Sequence, residues 1–131
     1  LAIERDAFGQ YAWPAELFQD YWETSPQLFL IALSGQCRAG YVIARMRRGG
    51  AEIESIAVHS RYRRRGVGLA LFKAVRRRVM RRGAQWLSLM VRPDNESALR
   101  FYRDLGFVRT GTVPRYYEDG SKGWRLRLAL R

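Results

Sequence analysis

Arg63-Arg64-Arg65-Gly66-Val67-Gly68 is the stretch that decides how this chain reads. An apolar run, Ile56-Ala57-Val58, precedes it, and an amphipathic pattern continues from Gly66 to Arg82. A strand, a short basic glycine loop and a helix are expected in that order. The first N–H groups of a helix have no internal partners, and the helix dipole leaves partial positive charge there. Glycine lets a ligand come close to the backbone, and arginine adds charge-assisted hydrogen bonds. Such a loop suits a phosphate or pyrophosphate. It lacks the Gly-Lys-Ser/Thr ending of a P-loop, and it has two glycines where the dinucleotide fingerprint has three.

Downstream, Leu71, Phe72, Val75 and Val79 recur at helical steps, with Lys73, Arg77 and Arg81 on a polar stripe that Arg76, Arg78 and Arg82 widen. Gly83 can end that helix. Trp86 to Val91 reads as a strand, parallel to the one before the helix because the connection is a crossover. Asn95 to Leu105 reads as a second helix with Asp94 or Asn95 as its cap. Two strands, Phe107 to Tyr117 and Lys122 to Leu130, flank the turn Glu118-Asp119-Gly120-Ser121. Upstream, Leu28–Leu33, Cys37–Arg47 and Ala51–Val58 form an antiparallel meander. The start of the chain reads as the end of a helix over Leu1–Phe8, a turn over Gly9–Trp13, and a short helix from Pro14. Leu17, Phe18, Tyr21 and Trp22 give that helix its apolar face, and Ser25-Pro26 ends it. The fold class is α/β (α+β), a mixed and mostly antiparallel sheet flanked by helices, in one domain over residues 1–131.

The formal net charge is +12, and all but Lys73 and Lys122 of the 24 basic residues are Arg. A surface this basic attracts phosphates, nucleic acid, ribosomes and acidic proteins. An arginine-rich composition equally serves solubility. No apolar run approaches the ~18 residues of a membrane span, and no leader pattern is present. With a single cysteine, Cys37, there is no internal disulfide, so a cytoplasmic setting without membrane attachment is expected. Cys37 has no His or acid at triad-like spacing and reads as a strand residue.

Four signatures over Ala51–Phe107 resemble the GNAT superfamily of N-acetyltransferases in order and spacing. Ala51-Glu-Ile-Glu-Ser-Ile-Ala-Val58 is similar to its fourth strand, and Arg63, Gly66 and Gly68 fit its Arg/Gln-x-x-Gly-x-Gly/Ala loop. Asn95-x-x-Ala98-x-x-x-Tyr102 and Leu105-Gly-Phe107 resemble the helix that follows. Within the superfamily the chain looks most like the RimI-type ribosomal-protein alanine N-acetyltransferases. That narrower likeness rests on Val91-Arg92-x-x-Asn95, on Arg115-Tyr116-Tyr117 before an acidic glycine turn, and on the Trp13-Pro14 region. Against the family's element order the first strand looks missing. Leu28–Leu33 would then be an apolar sheet edge, which residues before Leu1 or a second copy of the chain, as a homodimer, would have to cover.

The resemblance implies acetyl-CoA as co-substrate, no metal, and a primary amine as acceptor: a protein or peptide N-terminus, or else a small-molecule amine. Backbone groups of Ile56, Ala57 and Val58 would hold the pantetheine arm. Arg63, Arg64, Arg65, Gly66, Val67, Gly68, Leu69 and Ala70 would hold the pyrophosphate, and Asn95 would hydrogen-bond the pantetheine or cap its helix. Tyr102, two turns from Asn95 on the same helix face, would protonate the leaving thiolate. RimI-type enzymes carry a Glu where this chain has Met90, so the base falls to Glu52, with Glu54 and His59 as alternatives. A basic module that binds RNA or the ribosome with little catalysis is the competing class. The arginine stripe lacks the interleaved aromatics that such binders stack on bases.

Overall fold

The structure, a computed structural model, describes residues 18–24, 27–35, 37–63 and 66–130. Readings that fall on Leu1–Phe8, Gly9–Trp13, Pro14–Leu17, Ser25-Pro26, Arg64 and Arg65 lie outside these residues. The strands are β1 (Phe18–Thr24), β2 (Gln27–Ser34), β3 (Cys37–Arg47), β4 (Gly50–Val58), β5 (Trp86–Val91), β6 (Val108–Val113) and β7 (Gly123–Ala129). Helix α1 spans Val67–Arg81 and α2 spans Glu96–Asp104. The strands form one seven-stranded sheet in the order β1-β2-β3-β4-β5-β7-β6. Every neighbouring pair is antiparallel except β4 and β5, where the chain crosses over through α1.

One sheet face is the core. Leu28, Leu30, Val42, Ala44, Ala51, Ile53, Leu87, Leu89 and Val91 are all buried on it. The α1 face that periodicity marks out, Leu71, Phe72, Val75 and Val79, is buried as well, and α1 packs over β2, β3 and β4. Phe107, after α2, meets both helices: its ring centroid is 5.8 Å from that of Phe72 and 5.4 Å from that of Tyr102. Both helices therefore lie on the same side of the sheet. Among the described residues no helix is long and apolar enough to cross a membrane.

Two expectations change. Phe18–Thr24 is a strand, where a helix was expected, and it lies antiparallel on β2. It closes the edge of Leu28–Leu33 from within the chain, so the sheet does not lack its outer strand. Aromatic residues suit a strand as well as a helix, and an unpaired apolar edge a few residues away decides between them. The second change is at β6, which stops at Val113 instead of running to Tyr117. Pro114 has no N–H for the ladder, and Arg115 has φ 53°, so pairing ends there. The connection to β7 is accordingly a loop over 114–122.

Candidate active site

β4 and β5 pair only at Ala51↔Leu87 and Glu52↔Ser88. Beyond that point they part, and the cause is local. Opposite β3, Ile43 pairs with Ser55 and Ala44 with Ile53, which leaves Glu54 as an extra residue, a β-bulge. A bulge bends its strand and raises the local twist. Its effect on side chains is visible: Glu54 reaches Arg45 and Ser55 reaches Tyr41, both on the sheet face away from the helices. Two successive β4 residues thus point the same way, and the core positions shift from Ala51 and Ile53 to Ile56 and Val58.

The parting opens a cleft with a cavity on each side. The cavity on the helix side has about 400 Å³ and is lined by Ile56, Val58, Gly66, Gly68, Asn95 and Tyr102, among others. The other has about 330 Å³ and is lined by Glu54, Ser55, Met90, Arg92 and Tyr117, among others. Ile56, Asn95, Ala98 and Tyr102 line both, so the two cavities meet at these residues.

Gly66 stands in the left-handed region, φ 81°, as the residue before α1, and no side chain caps that helix. The N–H groups of Val67, Gly68 and Leu69 belong to the first turn, where an α-helix has no carbonyl for them. Val67 and Gly68 line the helix-side cavity beside Arg63, which is exposed. A Cβ on Gly68 would sit 3.8 Å from both Val58 Cγ2 and Phe101 Cζ, so the cleft is narrow and apolar at this point. An anionic group at the α1 terminus with an apolar arm running along the parted edge of β4 fits these residues. Of the residues expected to hold a cofactor, Ile56, Ala57, Val58, Arg63, Gly66, Val67, Gly68 and Asn95 line this one cavity. Leu69 and Ala70, later in the same turn, are buried and do not line it. Asn95 does cap α2, its Oδ1 accepting from Ala98 N at 3.3 Å, so its NH2 end is what it can offer a ligand.

Tyr102 is buried, at 7% exposure. Its hydroxyl makes no hydrogen bond with the described residues, and a buried hydroxyl is costly unless bonded. The cleft is where a partner can stand. Burial pushes its pKa up to about 12. An ordinary phenol matches a thiol near 8.5 closely enough for full proton transfer. At about 12 the hydroxyl keeps its proton through neutral pH, so it can donate a hydrogen bond to charge that develops in the cleft.

Glu52 and Glu54 share the far face but differ in position. Glu52 does not line either cavity; Arg47 holds it through Nη2 at 2.8 Å and Nε at 3.2 Å. Glu54 lines the far cavity, with Arg45 Nε at 3.1 Å and Gln27 Nε2 at 3.3 Å. His59 is exposed and caps the short turn Ser60–Tyr62 by accepting from Arg61 N. It lies outside both cleft cavities. Cys37 is an exposed residue at the start of β3.

Tyr117, in the loop over 114–122, lines the far cavity, a role that its sequence alone does not signal. Asp119 Oδ1 accepts from Ser121 N at 3.0 Å and from Ser121 Oγ at 2.6 Å. These bonds, with help from Arg92, hold the Asp119 carboxyl down at about 2. Gly123 lets the loop close, since a Cβ there would meet Met90 Cε at 2.8 Å and Tyr116 Cδ2 at 3.1 Å. The signal for the bulge is present in Ala51–Val58. Apolar residues fall on 51 and 53, then on 56, 57 and 58, so the alternation that an unbroken half-buried strand keeps is lost after Ile53.

The acetyltransferase (GNAT) family model matches residues 2–107. An uncharacterised N-acetyltransferase of Methanocaldococcus jannaschii is 34% identical over 120 residues, covering 91% of this chain and 76% of that protein. N-alpha-acetyltransferase 30 of Xenopus laevis is 35% identical over 113 residues, and the match spans 81% of this chain but only 41% of that protein. Among solved structures, the ribosomal-protein-S18-alanine N-acetyltransferase from Escherichia coli superposes with a TM-score of 0.75 at 27% identity. That match covers 82% of this chain and 72% of the other.

Proposed function

Belonging to the GNAT family of acetyltransferases, the chain is, we propose, an acetyl-CoA-dependent enzyme that acetylates the N-terminal amine of a protein or peptide. The observation that carries this is the parting of β4 from β5, with an anion-binding helix terminus on one side and a rimmed cavity on the other, joined at Tyr102. The α1 N–H groups and Arg63 take the pyrophosphate. The parted edge at Ile56–Val58 takes the pantetheine arm and brings the thioester to the junction. The amine enters from the Glu54 side and attacks the carbonyl carbon. A backbone N–H of β4 stabilises charge on the carbonyl oxygen, and Tyr102 donates to the departing sulfur.

An α-amine fits this cleft better than a lysine. Its pKa is about 7.7–8.0 against about 10.4 for lysine, so near neutrality a useful fraction is already unprotonated. The cleft has Met90 on β5, and the carboxylate that lines it, Glu54, is exposed and ion-paired. The names of the relatives, which are N-alpha- and ribosomal-protein N-acetyltransferases, point the same way. A screen of acceptors tests the reading: peptides with a free α-amine and blocked lysines, the same peptides with the blocking reversed, and polyamines. Turnover confined to polyamines or to lysines would overturn it.

In this reading Glu54, which lines the far cavity, accepts the amine proton through a water in place of Glu52. Glu54→Gln is expected to lower kcat/KM by about tenfold to a hundredfold near pH 7, the lower range for one acid–base group. The deficit should shrink by pH 9, where the amine arrives unprotonated. Glu52→Gln, outside the cavities, should change the rate less than about twofold, as for a surface ion pair. Equal losses in the two variants would return the role to Glu52.

A further inference from the structure

We propose that Arg92 is a positioning residue for acceptor recognition, a clasp that holds the 114–122 loop over the far cavity and sets Tyr117 as its wall. The proposal rests on the acetyltransferase reading above. Arg92 directly follows β5 and lines the same cavity as Tyr117 and Glu54. Its Nη1 donates to Asp119 Oδ2 at 3.0 Å and to Ser121 Oγ at 2.6 Å. Its guanidinium carbon lies 4.0 Å from the Tyr117 ring centroid. One flat cation thus holds three different groups of one loop.

The loop is folded on itself first. Tyr117 N donates to Ser121 O at 3.1 Å, and Gly120 N to Tyr117 O at 2.9 Å, with Gly120 at φ 85°. Asp119 is fixed by Ser121 as described. The turn therefore moves as a unit, and Arg92 ties that unit to the strand beside the thioester junction. Tyr116, next to it, meets Tyr117 edge to face at 4.8 Å between centroids and packs on Gly123. Where Tyr117 stands decides how deep an acceptor can enter before it reaches Tyr102 and Glu54.

The clasp is half exposed, 40% at the Arg92 side chain and 60% at Asp119. Exposed ion pairs add little to global stability. Loss of the clasp should hence appear in loop order and acceptor binding, not in the melting temperature. Lysine keeps the charge but not the flat stacking surface or the fork of donors.

The test compares Arg92→Ala, Arg92→Lys and Asp119→Asn with Arg127→Ala, which removes a guanidinium stacked on Trp86 (4.1 Å) away from the cleft. Amide exchange over 117–121, KM for a free-α-amine peptide from the acceptor screen, and KM for acetyl-CoA are measured in each. Arg92→Ala should exchange faster over 117–121 and raise the peptide KM about tenfold, because it removes both a charge-assisted hydrogen bond and the stacking of a cation on Tyr117. Its KM for acetyl-CoA should stay within about twofold, as expected when the binding of only one substrate changes. Arg92→Lys and Asp119→Asn should fall between, and Arg127→Ala should match the parent. Unchanged exchange in Arg92→Ala, or an unchanged peptide KM in a variant whose loop has loosened, overturns the proposal. So do two KM values that rise together. Any of these leaves acetyl transfer standing. A parent enzyme that acetylates no amine in the screen removes the function itself, and the specificity role with it.

Discussion

Gly68→Asp is expected to bind acetyl-CoA at least about a hundredfold more weakly than the parent while melting no earlier. The two halves of that result have the same cause. Gly68 lies in the first turn of α1, and the Cβ of a substituted residue would stand at ordinary van der Waals distances, 3.8 Å, from its neighbours. A carboxylate there is favourable to the helix dipole, so the fold keeps its stability. The same carboxylate occupies the anion site and repels the pyrophosphate. Gly66 is a poorer place for this test because its φ of 81° would strain any side chain. Calorimetric titration with acetyl-CoA, beside thermal melts, measures both halves. Unchanged affinity would exclude the α1 terminus as the cofactor site.

Tyr102→Phe is expected to leave acetyl-CoA affinity nearly intact and to lower kcat by about a hundredfold, the scale for one donor aimed at developing charge. Burial supplies the reason for the separation. The ring packs between Phe101 and Phe107, at 5.2 Å and 5.4 Å between centroids, and phenylalanine keeps that packing. Only the hydroxyl in the cleft is removed. A pH profile refines the role. Because burial holds the proton on Tyr102 until about 12, its contribution is complete at neutral pH and persists as pH rises through 10. A fall in parent kcat centred near 10, absent in Tyr102→Phe, would mean that the hydroxyl titrates as an ordinary phenol. Normal turnover in the variant would make Tyr102 a core residue only.

How much of this is legible in the sequence depends on how far each feature reaches along the chain. The glycine loop, α1 and α2 are set by their own residues: a left-handed Gly66, an apolar stripe, an Asn95 cap. These match their local readings. Phe18–Thr24 does not, since Phe18, Tyr21 and Trp22 suit either a helix or a strand and the neighbouring edge of β2 decides. Glu52 and Glu54 look equivalent in a strand of regular alternation, and both are ion-paired; only the bulge separates them, one outside the cleft and one lining it. The Arg92 clasp spans 27 residues to Asp119 and 29 to Ser121, a distance at which no spacing rule operates.

The extra residue in β4 also has a consequence for the folding landscape. A version of this chain with Glu54 deleted could carry Ile56 and Val58 into the phase of Ala51 and Ile53 and pair more of β4 with β5. The favoured sheet would be flatter and more completely hydrogen-bonded, and it would have no opening for a thioester. Catalytic competence here is thus a register that regular strand pairing alone would not select.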